Sequence, residues 1–133
     1  MVISPNIRVY GDLSYRGACA TEDSECQTII NQCKKRYPDL MIVHIKNEGK
    51  RTKAQMDEAK AMGFIKGASD YMLVGNPVGY MEVKRKNYSH KLSKEQEVFL
   101  IEAEKRGAFT GMVLGWEAAL DFIEDWHKLQ NNS

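Results

Sequence analysis

The stretch DYMLVGNPVGYMEVK, residues 70–84, decides the fold of this chain. Two runs rich in apolar and aromatic residues flank the turn-forming triplet Gly75-Asn76-Pro77. Runs of this composition around such a triplet predict two β-strands, which we place at residues 70–74 and 78–84. The stretch is therefore predicted to be a β-hairpin.

The register of the predicted hairpin places two acidic side chains opposite each other. If the triplet forms the loop, Met72 faces Tyr80 and Asp70 faces Glu82. Because side chains alternate along a strand, Lys84 lies on the same face as Glu82. Two carboxylates and an ammonium group then converge at the end of the hairpin away from its turn. A loop that is one residue longer or shorter would remove this opposition.

Opposed carboxylates destabilise a strand pair unless a cation lies between them. Ligation by oxygen alone suits Mg²⁺ or Mn²⁺, which bind carboxylates and keep several waters. Such an ion polarises a phosphoryl oxygen and lowers the pKa of a bound water, while a nearby lysine orients that water and offsets developing charge. The pattern therefore predicts a metal-dependent phosphodiesterase with Asp70, Glu82 and Lys84 in its active site.

The short motif Glu82-Val83-Lys84 also has a simpler interpretation. An acid and a lysine two residues apart are common on exposed strands, where they form a solvated charge pair. The apolar residues around this motif and the upstream acid Asp70 favour the active-site interpretation.

Hydrophobic periodicity predicts the remaining elements. Helices are predicted at residues 24–37, 53–62, 93–106 and 115–128, and further strands at residues 41–45 and 109–114. Residues 1–20 show no clear period and are predicted to be an arm or a short strand. The order α-β-α-β-β-α-β-α predicts the α/β class, with a mixed β-sheet flanked by helices.

The composition is that of an ordinary globular protein. The 133 residues have room for one domain with one hydrophobic core. The apolar runs are too short to cross a membrane, and the N-terminal residues lack the pattern of a signal peptide. Three cysteines without a CxxC pair argue against a disulfide framework or a zinc ribbon, so a reducing compartment such as the cytoplasm is expected.

Basic residues form two clusters, although the net charge is only +1. Each cluster is either a solvated charge run or a surface for a phosphate backbone. Because the clusters flank the acid-acid-lysine motif, the second interpretation is favoured. The residues expected to bind nucleic acid are Lys50, Arg51, Lys53, Arg85 and Lys86. Tyr88, which follows Arg85 and Lys86 in the second of these clusters, is expected either to stack on a base or to lie in a solvated loop.

Further motifs along the chain resemble a known family. In order they are Glu25-Cys26-Gln27, Lys46-Asn47-Glu48-Gly49, Gly67-Ala68-Ser69-Asp70, Met81-Glu82-Val83-Lys84, Leu92-Ser93-Lys94-Glu95-Gln96 and Val113-Leu114-Gly115-Trp116-Glu117-Ala118. Their order and spacing resemble a VRR-NUC domain, a branch of the PD-(D/E)XK nuclease superfamily with a restriction-endonuclease-like fold. The resemblance covers residues 22–126 and leaves residues 1–20 unassigned.

The resemblance implies a metal site. Asp70 and Glu82 correspond to the acids that bind the metal, and the carbonyl at the Val83 position is a further ligand. Glu25 corresponds to the acid of the first helix that completes the metal site. The chain has Ser69 where the superfamily name expects proline, which leaves the metal-binding acid itself in place.

The resemblance also assigns supporting residues. Lys84 corresponds to the catalytic lysine, and Gln96 corresponds to a glutamine that supports it. Gln96 follows Ser93 by three residues, so it is also a candidate for a capping box, and the two roles are compatible. Glu25 has its own alternative, because acids in the first turn of a helix are favoured by the helix dipole.

The function implied by the resemblance is cleavage of branched DNA. Stand-alone VRR-NUC chains of this size, of the kind found in phages, resemble structure-selective nucleases that act on Holliday junctions. Two alternatives are a sequence-specific restriction-type endonuclease on the same scaffold and a DNA-binding module without activity. A junction needs two matched cuts and each chain has one site, so a symmetric homodimer is expected. Its candidate surfaces are residues 1–20 and the first helix.

Overall fold

Five strands form one mixed sheet in the computed structural model, which describes residues 4–45 and 51–130. The strands are β1 (Val9–Tyr10), β2 (Ile42–His44), β3 (Tyr71–Leu73), β4 (Gly79–Lys84) and β5 (Phe109–Leu114). The helices are α1 (Glu22–Arg36), α2 (Lys53–Ala61), α3 (Lys94–Lys105) and α4 (Trp116–Gln130). The strand order across the sheet is β1-β5-β4-β3-β2. The predicted α/β class with a mixed sheet is confirmed.

The hairpin has the predicted register. β3 and β4 are antiparallel, and Met72 lies opposite Tyr80. β4 and β5 are parallel, and Glu82 lies opposite Met112. The central strand β4 therefore ends, with Glu82 and Lys84, beside the carboxyl end of β5.

The two faces of β4 contact different cores. Met81 and Val83 are fully buried in the core that the sheet forms with α1 and α4. On the other face, Met112 of β5 packs with Leu100 of α3 in a second core. Paired residues on neighbouring strands point to the same side of a sheet, so the Glu82 side chain points toward α3.

Helix caps determine where α1 and α3 begin. The Thr21 hydroxyl accepts a hydrogen bond from the Ser24 backbone N–H at 3.1 Å, so α1 begins at Glu22, two residues before the predicted start. Ser93 caps α3 through a capping box with Gln96. The first turns of both helices consequently carry the acids and the amide that matter for the site.

The N-terminal segment contributes a strand to the sheet. Val9 and Tyr10 pair in parallel with β5, so the sequence prediction of an arm or a short strand resolves as a two-residue strand within an otherwise irregular segment. By contrast, α2 buries none of its residues. Among the residues described, no helix is long and apolar enough to cross a membrane.

Candidate active site

Asp70 and Glu82 meet at the end of the hairpin away from its turn. Asp70 directly precedes β3, and its Oδ2 accepts a hydrogen bond from the Val83 backbone N–H at 2.8 Å. The negative charge of Asp70 also acts on the Glu82 carboxyl group and raises its pKa. The structure therefore brings the two predicted acids together, as the register required.

Glu82 lies in an environment that disfavours its charge. Its side chain is only 2% exposed. Burial raises the pKa of Glu82 well above its usual range, and the negative charge of Asp70 raises it further, while Lys84 acts in the opposite direction. The Lys84 Nζ lies 3.8 Å from Glu82 Oε2 and is itself nearly buried. Lys84 and Glu82 thus form a buried charge pair, which rules out the simpler interpretation of a solvated pair on an exposed strand.

Gln96 forms the predicted capping box, and its side chain contacts Glu82 rather than Lys84. Its Oε1 accepts a hydrogen bond from the Ser93 backbone N–H at 2.9 Å, and its own backbone N–H donates to the Ser93 hydroxyl, which completes the capping box. Its Nε2 donates to Glu82 Oε2 at 3.2 Å. Because one end of the amide is held by the helix cap, the other end is aimed at Glu82.

Gly67 ties the loop before Asp70 to the start of α3. Its φ is +88°, and a Cβ atom at this position would lie 2.5 Å from the carbonyl carbon of Glu95. Glycine alone combines this backbone conformation with so close an approach. The segment that leads to Asp70 and the helical turn that carries Gln96 are therefore in direct backbone contact.

Glu25 is not brought to the acid pair by any contact among the described residues. Its carboxylate Oε2 accepts a hydrogen bond from the Trp116 backbone N–H at 2.6 Å, across 91 positions of sequence. This N–H is the first of α4, so Glu25 satisfies an unpaired donor of that helix. The structure displays the contact of Glu25 with α4, and the metal ligation that the resemblance implies for Glu25 is tested by the substitutions given below.

Glu22, which the sequence analysis missed, is the acid of α1 that faces the pair. Burial and the charge of Asp70 raise the pKa of Glu22, and the charges of Lys84 and His90 lower it. Its charge also contributes to the raised pKa of Glu82. Glu22 and Glu25 are three residues apart and share one side of the helix. The helix predicted at residues 24–37 left Glu22 outside it, whereas α1 begins at Glu22.

The donor set at this site fits a hard divalent cation. Among the described residues no group of three or more His, Cys, Asp or Glu side chains is arranged to hold a metal ion. Mg²⁺ typically binds through one or two carboxylates and keeps several waters, so Asp70 and Glu82 meet this requirement. The opposed charges that raise the pKa of Glu82 are those that a cation would relieve.

Two of the basic residues expected to bind nucleic acid flank the end of β4. Arg85, the residue after Lys84, is half-buried, and its Nε has no hydrogen-bond partner. The Lys86 ammonium group lies over the ring of Tyr15 in the N-terminal segment, 5.6 Å from the ring centre. Tyr88 takes neither of its expected roles, because it is buried with a φ of 52° and its hydroxyl accepts a hydrogen bond from a neighbouring backbone N–H.

The other basic cluster lies around α2. The Arg51 guanidinium lies over the ring of Phe64 at 4.7 Å. Lys53 is almost fully exposed and pairs with Asp57 within the helix. Lys50 lies outside the described residues. Arg51 and Lys53 are therefore accessible to a ligand but are not in described contact with the acid pair.

A solved structure described as a VRR_NUC domain protein has the same fold. The two structures superpose with a TM-score of 0.66 at 19% sequence identity, covering 84% of this chain and 92% of that chain. The chain has the VRR-NUC fold. The match confirms, for the fold, the resemblance predicted from scattered motifs. No protein-family model matches the sequence, and no curated protein matches it. In this VRR-NUC fold the motif residues Asp70, Glu82 and Lys84 converge at the end of the hairpin away from its turn.

Replacing Glu82 with glutamine should stabilise the metal-free protein, and the gain should grow with pH. Because the pKa of Glu82 is raised in the folded state, its contribution to stability is complete below the ordinary value of 4.5 and is lost as the pH rises through the folded pKa. Glutamine does not ionise and keeps an oxygen for Gln96. Thermal unfolding in EDTA should show a gain of about 1 kcal/mol, or a few degrees in Tm, at neutral pH.

The matched control is Glu102→Gln. Glu102 is exposed, and Arg106 and Lys105 lower its pKa through hydrogen bonds, so this variant should gain nothing as the pH rises. A gain for Glu82→Gln that is independent of pH, or that Glu102→Gln shares, would contradict the proposed origin of the effect.

Substitutions at Glu22 and Glu25 should separate metal binding from helix capping. We expect Glu22→Gln to weaken Mn²⁺ binding severalfold, because its charge acts on Asp70. Glu25→Gln should leave Mn²⁺ affinity unchanged, while Glu25→Ala should cost about 1–2 kcal/mol of stability because the Trp116 N–H loses its acceptor. Titration calorimetry and denaturant unfolding measure the two effects. Loss of Mn²⁺ binding in a stably folded Glu25→Gln variant would instead make Glu25 the metal ligand.

Proposed function

We propose that this chain is a Mg²⁺- or Mn²⁺-dependent endonuclease that hydrolyses phosphodiester bonds in DNA. The observation that carries the proposal is the Asp70–Glu82 pair, in which a buried carboxylate contacts a second one and Lys84 only partly offsets the charge. Such a pair is unfavourable without a cation and favourable around one. Strongly perturbed acids of this kind are typical of functional sites.

Each residue of the site has a separate role in the proposed hydrolysis. Asp70 and Glu82 hold the cation, together with the Val83 carbonyl that the resemblance implies. When bound, the cation polarises a phosphoryl oxygen and lowers the pKa of a coordinated water. The ammonium group of Lys84, held near Glu82, orients the attacking water and offsets charge on the phosphate. Gln96 restrains one oxygen of Glu82 and so determines how the carboxylate faces the cation.

The surroundings of the site favour an anionic substrate. The contact between Glu25 and the Trp116 N–H joins the first turns of α1 and α4, and Gln96 brings the first turn of α3 to Glu82. Three helix N-termini, each with a partial positive charge, therefore begin around the end of β4. The half-buried Arg85 and the exposed Lys86 add positive charge for phosphate oxygens at the same end of β4.

Branched DNA is the proposed preferred substrate. Among the described elements, each helix except α2 packs against the sheet, and the side chains form no zinc site, so a separate base-reading module is absent from that part of the chain. Recognition by DNA shape and backbone is then favoured over recognition of sequence. Cleavage of plain duplex at a single sequence, with junctions left intact, would favour the restriction-type alternative.

Replacing Lys84 with methionine should abolish cleavage of a four-way junction in Mn²⁺, with a loss of at least about 100-fold in rate. Methionine is chosen because Lys84 is buried and alanine would also leave a cavity. The variant should still bind junction DNA. The measurement is single-turnover cleavage on a panel of junction, flap, duplex and single-stranded substrates.

Lys105→Met is the matched control for this experiment. Lys105 is exposed at the far end of α3 and pairs with Glu102, so its loss should leave cleavage unchanged. Wild-type rates in the Lys84→Met variant would refute the proposed site. An equal loss of cleavage rate in both variants would indicate that the loss comes from folding or overall charge and not from catalysis.

A symmetric homodimer is the proposed active form, because a junction requires two matched cuts and each chain offers one site. The surfaces suggested by the sequence are largely used within the chain: Val9 and Tyr10 pair with β5, and Cys33 lies in the core. Light scattering at micromolar concentration should give twice the mass of the chain, and the protein should make paired nicks on a junction. A monomer that still makes paired cuts would overturn this proposal.

A further inference from the structure

A polar cavity of about 640 Å³ opens beside Asp70, between α1 and the strands β2 and β3. This volume lies within the range of ordinary small-ligand sites. Its walls include Glu22 and Asp70, so the cavity is continuous with the proposed metal site. Nothing in the mechanism above uses the remainder of this cavity.

The far wall of the cavity carries two free amide side chains. Gln27 and Asn31 are four residues apart on α1, so they project from one side of the helix. Neither side chain makes a hydrogen bond among the described residues. Each amide offers both donors and an acceptor, which is the combination that matches the edge of a nucleobase.

The opposite wall provides an aromatic surface. The ring of His44 on β2 lies 5.1 Å from the ring of Tyr71 on β3, and the His44 side chain is exposed. Tyr71 is buried and supports His44 from behind, so the His44 ring is the accessible aromatic surface. An exposed ring held by a second ring is a platform on which a base can stack.

The charges of the cavity determine which part of a nucleotide fits. Its rim carries the carboxylates of Glu22, Asp23 and Asp70. These groups repel a phosphate, which binds instead at the cation and the basic residues. A nucleobase is uncharged and flat, and it can use both the amides and the rings.

We propose that this cavity binds the base of a nucleotide adjacent to the scissile phosphate, with Gln27 and Asn31 on its edge and His44 on its face. The inference rests on the proposed nuclease function and names the part of the substrate that this function leaves unassigned. A base can enter such a cavity only if it is unpaired or unstacked, as bases are at junctions and flaps. The cavity thus provides a physical reason for selecting branched DNA.

The test compares intact DNA with DNA that lacks one base. The cut position is first mapped on a junction or flap with the wild-type protein and Mn²⁺. Substrates are then made with an abasic nucleotide on either side of the cut and a phosphorothioate that resists hydrolysis at the cut itself. Dissociation constants are measured by fluorescence anisotropy for the wild type, for Gln27→Ala/Asn31→Ala and for Gln32→Ala. Gln32 is the matched control, because it is an amide of the same helix outside the cavity.

The wild type should bind DNA that is abasic at one flanking position about tenfold more weakly than intact DNA, from the loss of about two hydrogen bonds. The double variant should bind intact DNA about tenfold more weakly than the wild type and should not discriminate against the abasic substrate. Gln32→Ala should behave as the wild type does. If the two amides had only a structural role, the double variant would bind intact and abasic DNA more weakly by the same factor. Such a result would overturn the proposal.

Two further outcomes distinguish this inference from the function on which it rests. If the wild type binds and cuts DNA but ignores the abasic position on both sides of the cut, the cavity proposal is wrong and the nuclease proposal stands. If the wild type neither binds nor cuts any DNA on the panel, the nuclease proposal is wrong, and the cavity proposal is wrong with it.

Discussion

The proximity of two carboxylates, one of them buried, is the constraint on which the rest of the site depends. The backbone of the hairpin brings Asp70 and Glu82 together, and the Glu82 side chain is buried at the end of its strand. Two neighbours stabilise that charge, since Lys84 offsets it and Gln96 donates a hydrogen bond to Glu82 from a capped helix end, whereas Glu22 adds to it. Without such partners a buried acid pair would weaken a sheet of only five strands. In the proposed function, a cation held by the pair relieves this repulsion.

The hairpin and its register could be predicted because they depend on local rules. A turn triplet between two short apolar runs fixes which residues oppose each other, and Met72 and Tyr80 are paired as that rule requires. The capping box of Gln96 was also accessible, because Ser93 and Gln96 are three residues apart, whereas the resemblance linked the Gln96 side chain to the lysine and not to Glu82. Scattered motifs identified the fold even though no family model matches the chain.

The contacts that sequence reasoning missed join residues that are distant in the chain. Glu25 and Trp116 are 91 positions apart, and no periodicity could reveal that a carboxylate of one helix caps another. The burial of Lys84 depends in the same way on helices that pack around the strand end. The resemblance assigned Glu25 to the site, and a helix start predicted two residues too late left Glu22 outside the helix. Errors of this size at helix ends are normal.

The backbone contact at Gly67 gives the site a requirement that is steric rather than chemical. A single methyl group at this position would meet the Glu95 carbonyl, and it would force apart the segments that carry Asp70 and Gln96. A genetic screen for loss of function should therefore recover substitutions at position 67 that leave every charged group of the site unchanged. In distant relatives, a glycine three residues before the first acid would mark a chain in which these two segments still meet. A relative without this glycine would keep the acids in its sequence but would lack the backbone contact between the segment before the first acid and α3.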